Sequence, residues 1–180
     1  MSSRRLDRLS DLFFAVGDAI LAQGWGLKVG NYNDFNFEQE VGDGTILIEL
    51  EGSRQVVRSA EGRKGHRVRV TLHAVVGRWR ENANLEAGNL AAELQNLADD
   101  NRWGLPGRQC LPPEEITTGP SMYSEGKGGY EAWAASFWQT IYLGPSLLEE
   151  DPVITGMPLF ARTWEVSNID DPTQYTPLEP

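Results

Sequence analysis

The chain of 180 residues has one cysteine, Cys110, and two histidines, His66 and His73. A lone cysteine excludes an internal disulfide framework, and points to a protein made and working in a cytosolic compartment. The two histidines lie seven apart in an alternating stretch, so they face opposite sides and cannot share a metal. No apolar run approaches the ~20 residues that span a bilayer, which excludes a helical membrane span. The basic start, Met-Ser-Ser-Arg-Arg-Leu-Asp-Arg, is followed by an amphipathic segment with Asp11 and Asp18, which is not a secretory core. Phosphate-binding spacings are missing too. Gly24-Trp25-Gly26-Leu27-Lys28-Val29-Gly30 fits neither dinucleotide nor P-loop pattern and reads as a helix stop and turn, and Gly126-Lys127-Gly128-Gly129 reads as a turn. Cys110 has no histidine nearby in sequence and reads as a passive thiol. The acidic groups Glu149-Glu150-Asp151 and Asp170-Asp171 lack calcium-loop spacing and read as solvated charge. No catalytic constellation, cofactor site or metal site is expected, and the chain reads as a non-enzyme.

What is present is a regular α+β pattern. Residues 82 to 103 read as a central helix, with Ala83, Ala87, Leu90, Leu94, Leu97 and Ala98 in one apolar stripe. Asn82 or Asn84 suits the N-cap, and Gly104 and Pro106 end the helix. Gly88, with Ala87 and Ala91, makes a thin surface that lets it lie close to a sheet. Before it, Val68, Val70, Leu72, Ala74 and Val76 alternate with Arg67, Arg69, Thr71 and His73, a strand signal. After it, residues 130 to 143 carry Trp133, Phe137, Ile141 and Leu143 on one face and Tyr130, Trp138 and Tyr142 on the other, which predicts a strand covered on both sides. The expected core is Leu90, Leu94, Leu97, Trp133 and Phe137.

Residues 6 to 23 predict an N-terminal helix striped by Leu6, Leu9, Phe13, Val16 and Ile20. Residues 24 to 44 read as a loop with isolated aromatics, and Thr45 to Glu51 as a half-buried strand. Residues 52 to 65 read as a long, protruding basic connection, and 104 to 129 as irregular, with a short strand at 115 to 118. The expected fold is therefore a mixed or antiparallel sheet of about four strands, with the N-terminal and central helices packed on it. Residues 1–144 form this domain; the proline-rich, acidic 145–180 are expected to be an extended arm that docks on a neighbour.

Charge is unevenly placed. Residues 54–80 hold eight basic residues and one acidic, a net of +7, so a chain of net charge -10 carries -17 elsewhere. Three readings fit: a solvated loop, a nucleic-acid-binding module neutralising phosphates through 54–80, or a contact with an acidic surface of another subunit. For the third, Arg54, Arg58, Arg63 and Lys64 are the candidate interface residues.

The order of elements resembles that of bacteriophage tail terminator (tail completion) proteins, most closely the Mu-like prophage subgroup. The resemblance covers residues 6–144. It rests on the N-terminal amphipathic helix leading to Thr45-Ile46-Leu47-Ile48-Glu49-Leu50, on the strand Val68–Val76 leading into the helix that ends Asn101-Arg102-Trp103-Gly104, and on the aromatic strand Trp133-Ala134-Ala135-Ser136-Phe137-Trp138-Gln139-Thr140-Ile141-Tyr142-Leu143-Gly144. The family has no active site. It implies a virion protein of the tail and neck, assembled in the host cytoplasm. It implies a homo-oligomeric ring, a hexamer, on the head-proximal end of the tail tube. The implied partners are the tail tube protein and the neck or head-completion protein, with a sheath protein as a further candidate. DNA would pass through the lumen without specific binding, and no membrane is involved.

Overall fold

The computed structural model describes residues 5–37, 41, 44–126 and 128–148, and the backbone of two short strands at 159–161 and 175–177. The chain forms two units, Met1–Leu148 and Glu149–Pro180. The first is an α+β domain built on one five-stranded mixed sheet.

Helix α1, Leu9–Leu21, buries Leu12, Ala15, Val16 and Ile20. Its start is held by Asp11, whose Oδ2 accepts the N–H groups of Asp7 (2.9 Å) and Arg8 (2.8 Å), a carboxylate placed where the helix dipole favours it. Strand β1, Lys28–Asn31, follows, then a single 3-10 turn at Tyr32–Asp34. Strands β2, Thr45–Val56, and β3, Lys64–Gly77, make a long hairpin. Helix α2 is Ala83–Ala98. Strands β4, Cys110–Ser124, and β5, Tyr130–Leu143, form a second hairpin. The sheet order is β1-β2-β3-β5-β4, parallel between β1 and β2 and antiparallel elsewhere. In the second unit, β6 (Leu159–Ala161) pairs antiparallel with β7 (Tyr175–Pro177). The expectation of an extended arm at 145–180 otherwise falls outside the described residues. Pro145 to Leu148 belong to the first unit.

Both helices pack on the same face of the sheet. That face presents Ile46 and Ile48 of β2, Val68, Val70, Leu72 and Ala74 of β3, and Ala135, Phe137 and Ile141 of β5. Leu94 and Phe137 are fully buried there, while Leu90, Leu97 and Trp133 are half-buried at its margin. α2 presents a narrow seam of alanines, Ala83, Ala87, Ala91 and Ala98, instead of a wide leucine stripe. Small residues bring the helix axis close to the sheet, so the longer Leu90 and Leu97 splay outward. Gly88 lies over the Trp133 ring.

Six expectations need correction. The sheet has five strands: residues 28–31, read as loop, form an edge strand because they pair parallel with β2. The β2 and β3 strands run on to Val56 and Lys64, so the supposed connection of 52 to 65 is mostly paired strand. The short strand at 115 to 118 is a fifteen-residue edge strand, Cys110–Ser124. Its register shifts three times, and Glu115 adopts φ +55°; bulges of this kind accommodate prolines at an edge. α2 stops at Ala98, and Asp100 and Trp103 turn through left-handed φ of 50° and 57°. Asn82 makes no side-chain cap bond; its own φ is 60°. The second face of β5 is not covered along its length. Tyr32, Phe35, Phe37 and Val41 pack over Leu47, Val75 and Ala132 at one end only; neither helix covers this face.

Candidate functional site

The open end of that second face is where the basic residues gather. Cross-strand register places Arg54 opposite Arg67, and Arg69 opposite Trp138. The guanidinium carbons of Arg54, Arg67 and Arg69 lie 5.0, 5.2 and 5.9 Å from the Trp138 ring centre, within cation–π range. Three like charges around one ring repel unless neutralised. Arg67 is held by Glu114 (2.9 Å) and Glu115 (2.7 Å) from the bulged edge strand, and Arg69 by Glu51 (3.2 Å). Deeper on the face, Thr71 donates to Glu51 and its Oγ1 lies 2.7 Å from Ser136 Oγ. His73 Nε2 lies 3.0 Å from Glu49 Oε2, and its ring stacks on Tyr32 at 4.8 Å.

The hairpin turn does not protrude freely. Ser59 N–H donates to Arg63 O (3.1 Å), Gly62 N–H to Ser59 O (2.9 Å), and Arg63 N–H to Ser59 Oγ (3.1 Å). Gly62 takes φ +79°, a conformation that suits glycine. The turn docks on the exit of β5: Arg63 Nη1 donates to Gly144 O (3.3 Å) and Leu147 N–H donates to Glu61 O (2.8 Å). Arg63 and Glu61 pair at 2.9 Å with their side chains only 14% and 18% exposed. Arg108 reaches the same carboxylate at 3.2 Å.

The four candidate interface residues therefore divide. Arg63 is spent inside the fold. Arg54, Arg58 and Lys64 are exposed, and among the described residues no carboxylate pairs with any of them. Arg58 uses Nη1 to hold Gly62 O at 2.9 Å. Of the other basic residues of 54–80, Arg78 pairs with Glu131 (3.0 Å) and Arg80 with Glu86 (2.6 Å). Beside the turn lies an open pocket of about 330 Å³, lined by Asp7, Arg58, Lys64 and His66 and by Leu143, Pro145 and Leu147. Sequence reading missed Trp138 as the organiser of the arginines and missed Glu51, Glu114 and Glu115 as their counter-charges. The alternation of β5 offered a signal for the first only.

The remaining chemical candidates are structural. Cys110 is buried, and burial pushes its thiol up to about 12, against the hydrogen bond from Gln139 and the charge of Arg102, which both lower it. A protonated thiol is a poor nucleophile. Gln139, fully buried, accepts from Trp103 Nε1 (2.9 Å) and donates to Leu111 O. His66 and His73 lie on opposite faces, and no cluster of three or more metal-ligating side chains occurs among the described residues. No described helix is long and apolar enough to cross a membrane. The acidic groups at 149–151 and 170–171 lie outside the described residues. No protein-family model matches the chain, and no curated protein matches it.

Proposed function

We propose that the protein is a structural component of a phage virion that acts as a tail terminator. In this reading it closes into a ring of six copies on the head-proximal end of the tail tube. There it stops tube polymerisation and joins the tail to the neck. It needs no cofactor, and DNA passes through its lumen without specific binding. The tail tube and neck or head-completion proteins are its partners, with a sheath protein as a further candidate. It works in the virion and assembles in the host cytoplasm.

The observation that carries this reading is the division of the basic residues. On a chain whose remainder is strongly acidic, three of the cations that have no carboxylate partner among the described residues, Arg54, Arg58 and Lys64, lie together at the β2–β3 turn end of the sheet. A ring is built from unlike patches on neighbouring copies, one patch meeting a different patch on the next, and such a surplus supplies one of the two. The α+β fold, with β1 as an addition to the expected order of elements, is compatible with the resemblance. The test is mass photometry with class averages of the purified protein: a closed ring of one stoichiometry, dissociating as salt screens the contacts. A monomer at every concentration would overturn it.

Nucleic-acid binding through 54–80 draws on the same three cations. Arg63, Arg67, Arg69, Arg78 and Arg80 are already held by carboxylates. A duplex would therefore release roughly three counterions, a shallow salt slope. A slope several times steeper would favour this second reading.

A further inference from the structure

We propose that the pocket at the β2–β3 turn, with Arg58 and Lys64 on its rim, receives the carboxylates at the C-terminal end of α2 from a second copy of the chain. The inference rests on the ring reading and names the two surfaces that meet.

The pocket offers two cations with no carboxylate partner among the described residues, beside an apolar wall of Leu143, Pro145 and Leu147. Its scaffold is fixed mainly by Arg63 and Glu61; Lys64 takes no part in it, and Arg58 adds one bond, from Nη1 to Gly62 O. The occupant is argued from charge complementarity. α2 stops at Ala98 and is followed by its C-cap Asp99 and by Asp100, both exposed, and no basic residue occupies its last turn. Carbonyl groups already give a helix C-terminus a partial negative charge, so two carboxylates there are misplaced in the isolated chain. Asn101 Nδ2 satisfies Leu97 O at 2.9 Å but brings no charge. No ion pair within the chain relieves Asp99 or Asp100 among the described residues. The pocket thus carries a surplus of cations, since its Asp7 is paired with Arg5 and Glu61 with Arg63, and the end of α2 carries a surplus of anions, Asp99 and Asp100 against Arg102; the two sit on different elements. Unlike patches meeting in one sense around a ring is the heterologous contact that closes it.

Two double variants test the pairing. One is Arg58→Glu with Lys64→Glu. The other is Asp99→Lys with Asp100→Asn, because the φ of 50° at Asp100 suits Asn. Each should keep the wild-type circular dichroism, the first with a slightly lower melting temperature through loss of the Arg58–Gly62 bond, and each alone should weaken self-association about 100-fold, since attraction becomes repulsion at every contact. An equimolar mixture should assemble again: copies then alternate, and each contact sets opposite charges together. Mass photometry reads all of these states. If either variant alone assembles as well as wild type, the contact lies elsewhere and the pairing is overturned while the ring stands. If both fail and the mixture also fails, the two patches do not face each other. If wild type never assembles, the ring and the pairing fall together.

Discussion

Gly88 in the middle of α2 gives a prediction whose sign depends on geometry. Glycine in a helix interior costs about 1 kcal/mol relative to alanine, because the unfolded chain gives up more freedom. Against a packed neighbour that gain would be lost to a clash. A Cβ built at Gly88 meets only the Trp133 ring, at 3.6 Å from Cδ2 and Cε2. That is ordinary van der Waals distance, so the methyl adds contact and displaces nothing. The full propensity gain should survive, and covering part of a half-buried indole adds a few tenths more. Gly88→Ala should thus stabilise the protein by about 1 kcal/mol, raising the melting temperature by roughly 2–4 °C for a domain of this size. Urea unfolding followed by tryptophan fluorescence measures it, with the slope unchanged. Destabilisation would refute the reasoning, since it would mean that the helix rides closer to Trp133 than the stated distance. Gly65→Ala is the control of opposite sign: its Cβ would lie 2.3 Å from Val57 O, backbone that cannot move aside cheaply.

Leu94→Ala should cost about 2–5 kcal/mol because the side chain is fully buried, and Leu90→Ala distinctly less because its site is half open; equal midpoints in urea would contradict the packing. Arg63→Ala should destabilise the fold by about 1.5–3 kcal/mol through loss of charged bonds to Glu61 and Gly144. Lys64→Ala should change stability by less than about 0.5 kcal/mol, and comparable losses in thermal melts would show that the two residues are not divided as described. The folded Cys110 thiol sits at about 12 instead of 9.0, so the folded state holds its proton more tightly than the unfolded one. This contribution is full below pH 9 and is lost as pH rises toward 12. Wild type should therefore lose more stability between pH 8 and 11 than Cys110→Ala does, and the native thiol should resist alkylation at pH 7.5 until denaturant is added.

The sequence made the helices and three central strands legible because each has one face against the core. Periodicity records that asymmetry. β1 escaped because four residues with Val29 as their single large apolar side chain carry no period; partner strand β2 makes them a strand. Most of β4, beyond the short strand expected at 115 to 118, escaped because Pro112, Pro113 and Pro120, with three register shifts, erase its alternation. The outer part of the β2–β3 hairpin lies beyond the reach of either helix. With solvent near both faces, its polar residues read as loop. The basic residues of the candidate site were visible as charges. Their division was not, because it depends on partners far along the chain, such as Glu115 for Arg67, 48 residues apart. Local sequence contains a charge but not its counter-charge.

Leu6 exchanges hydrogen bonds with Gln109 in both directions and accepts the Gly144 N–H. The segment that begins the domain is thus latched by residues more than a hundred positions later. During synthesis at roughly 5–20 residues per second, α1 leaves the ribosome early, but its seat is completed only when the end of β5 has emerged. The β2–β3 hairpin can form locally in the interval, while β3 must keep its other edge open for β5, with α2 and β4 intervening in the chain. An apolar strand edge and an unseated amphipathic helix are then exposed together for seconds. Truncations that stop before residue 144 should therefore accumulate in aggregates, whatever the stability of the finished fold.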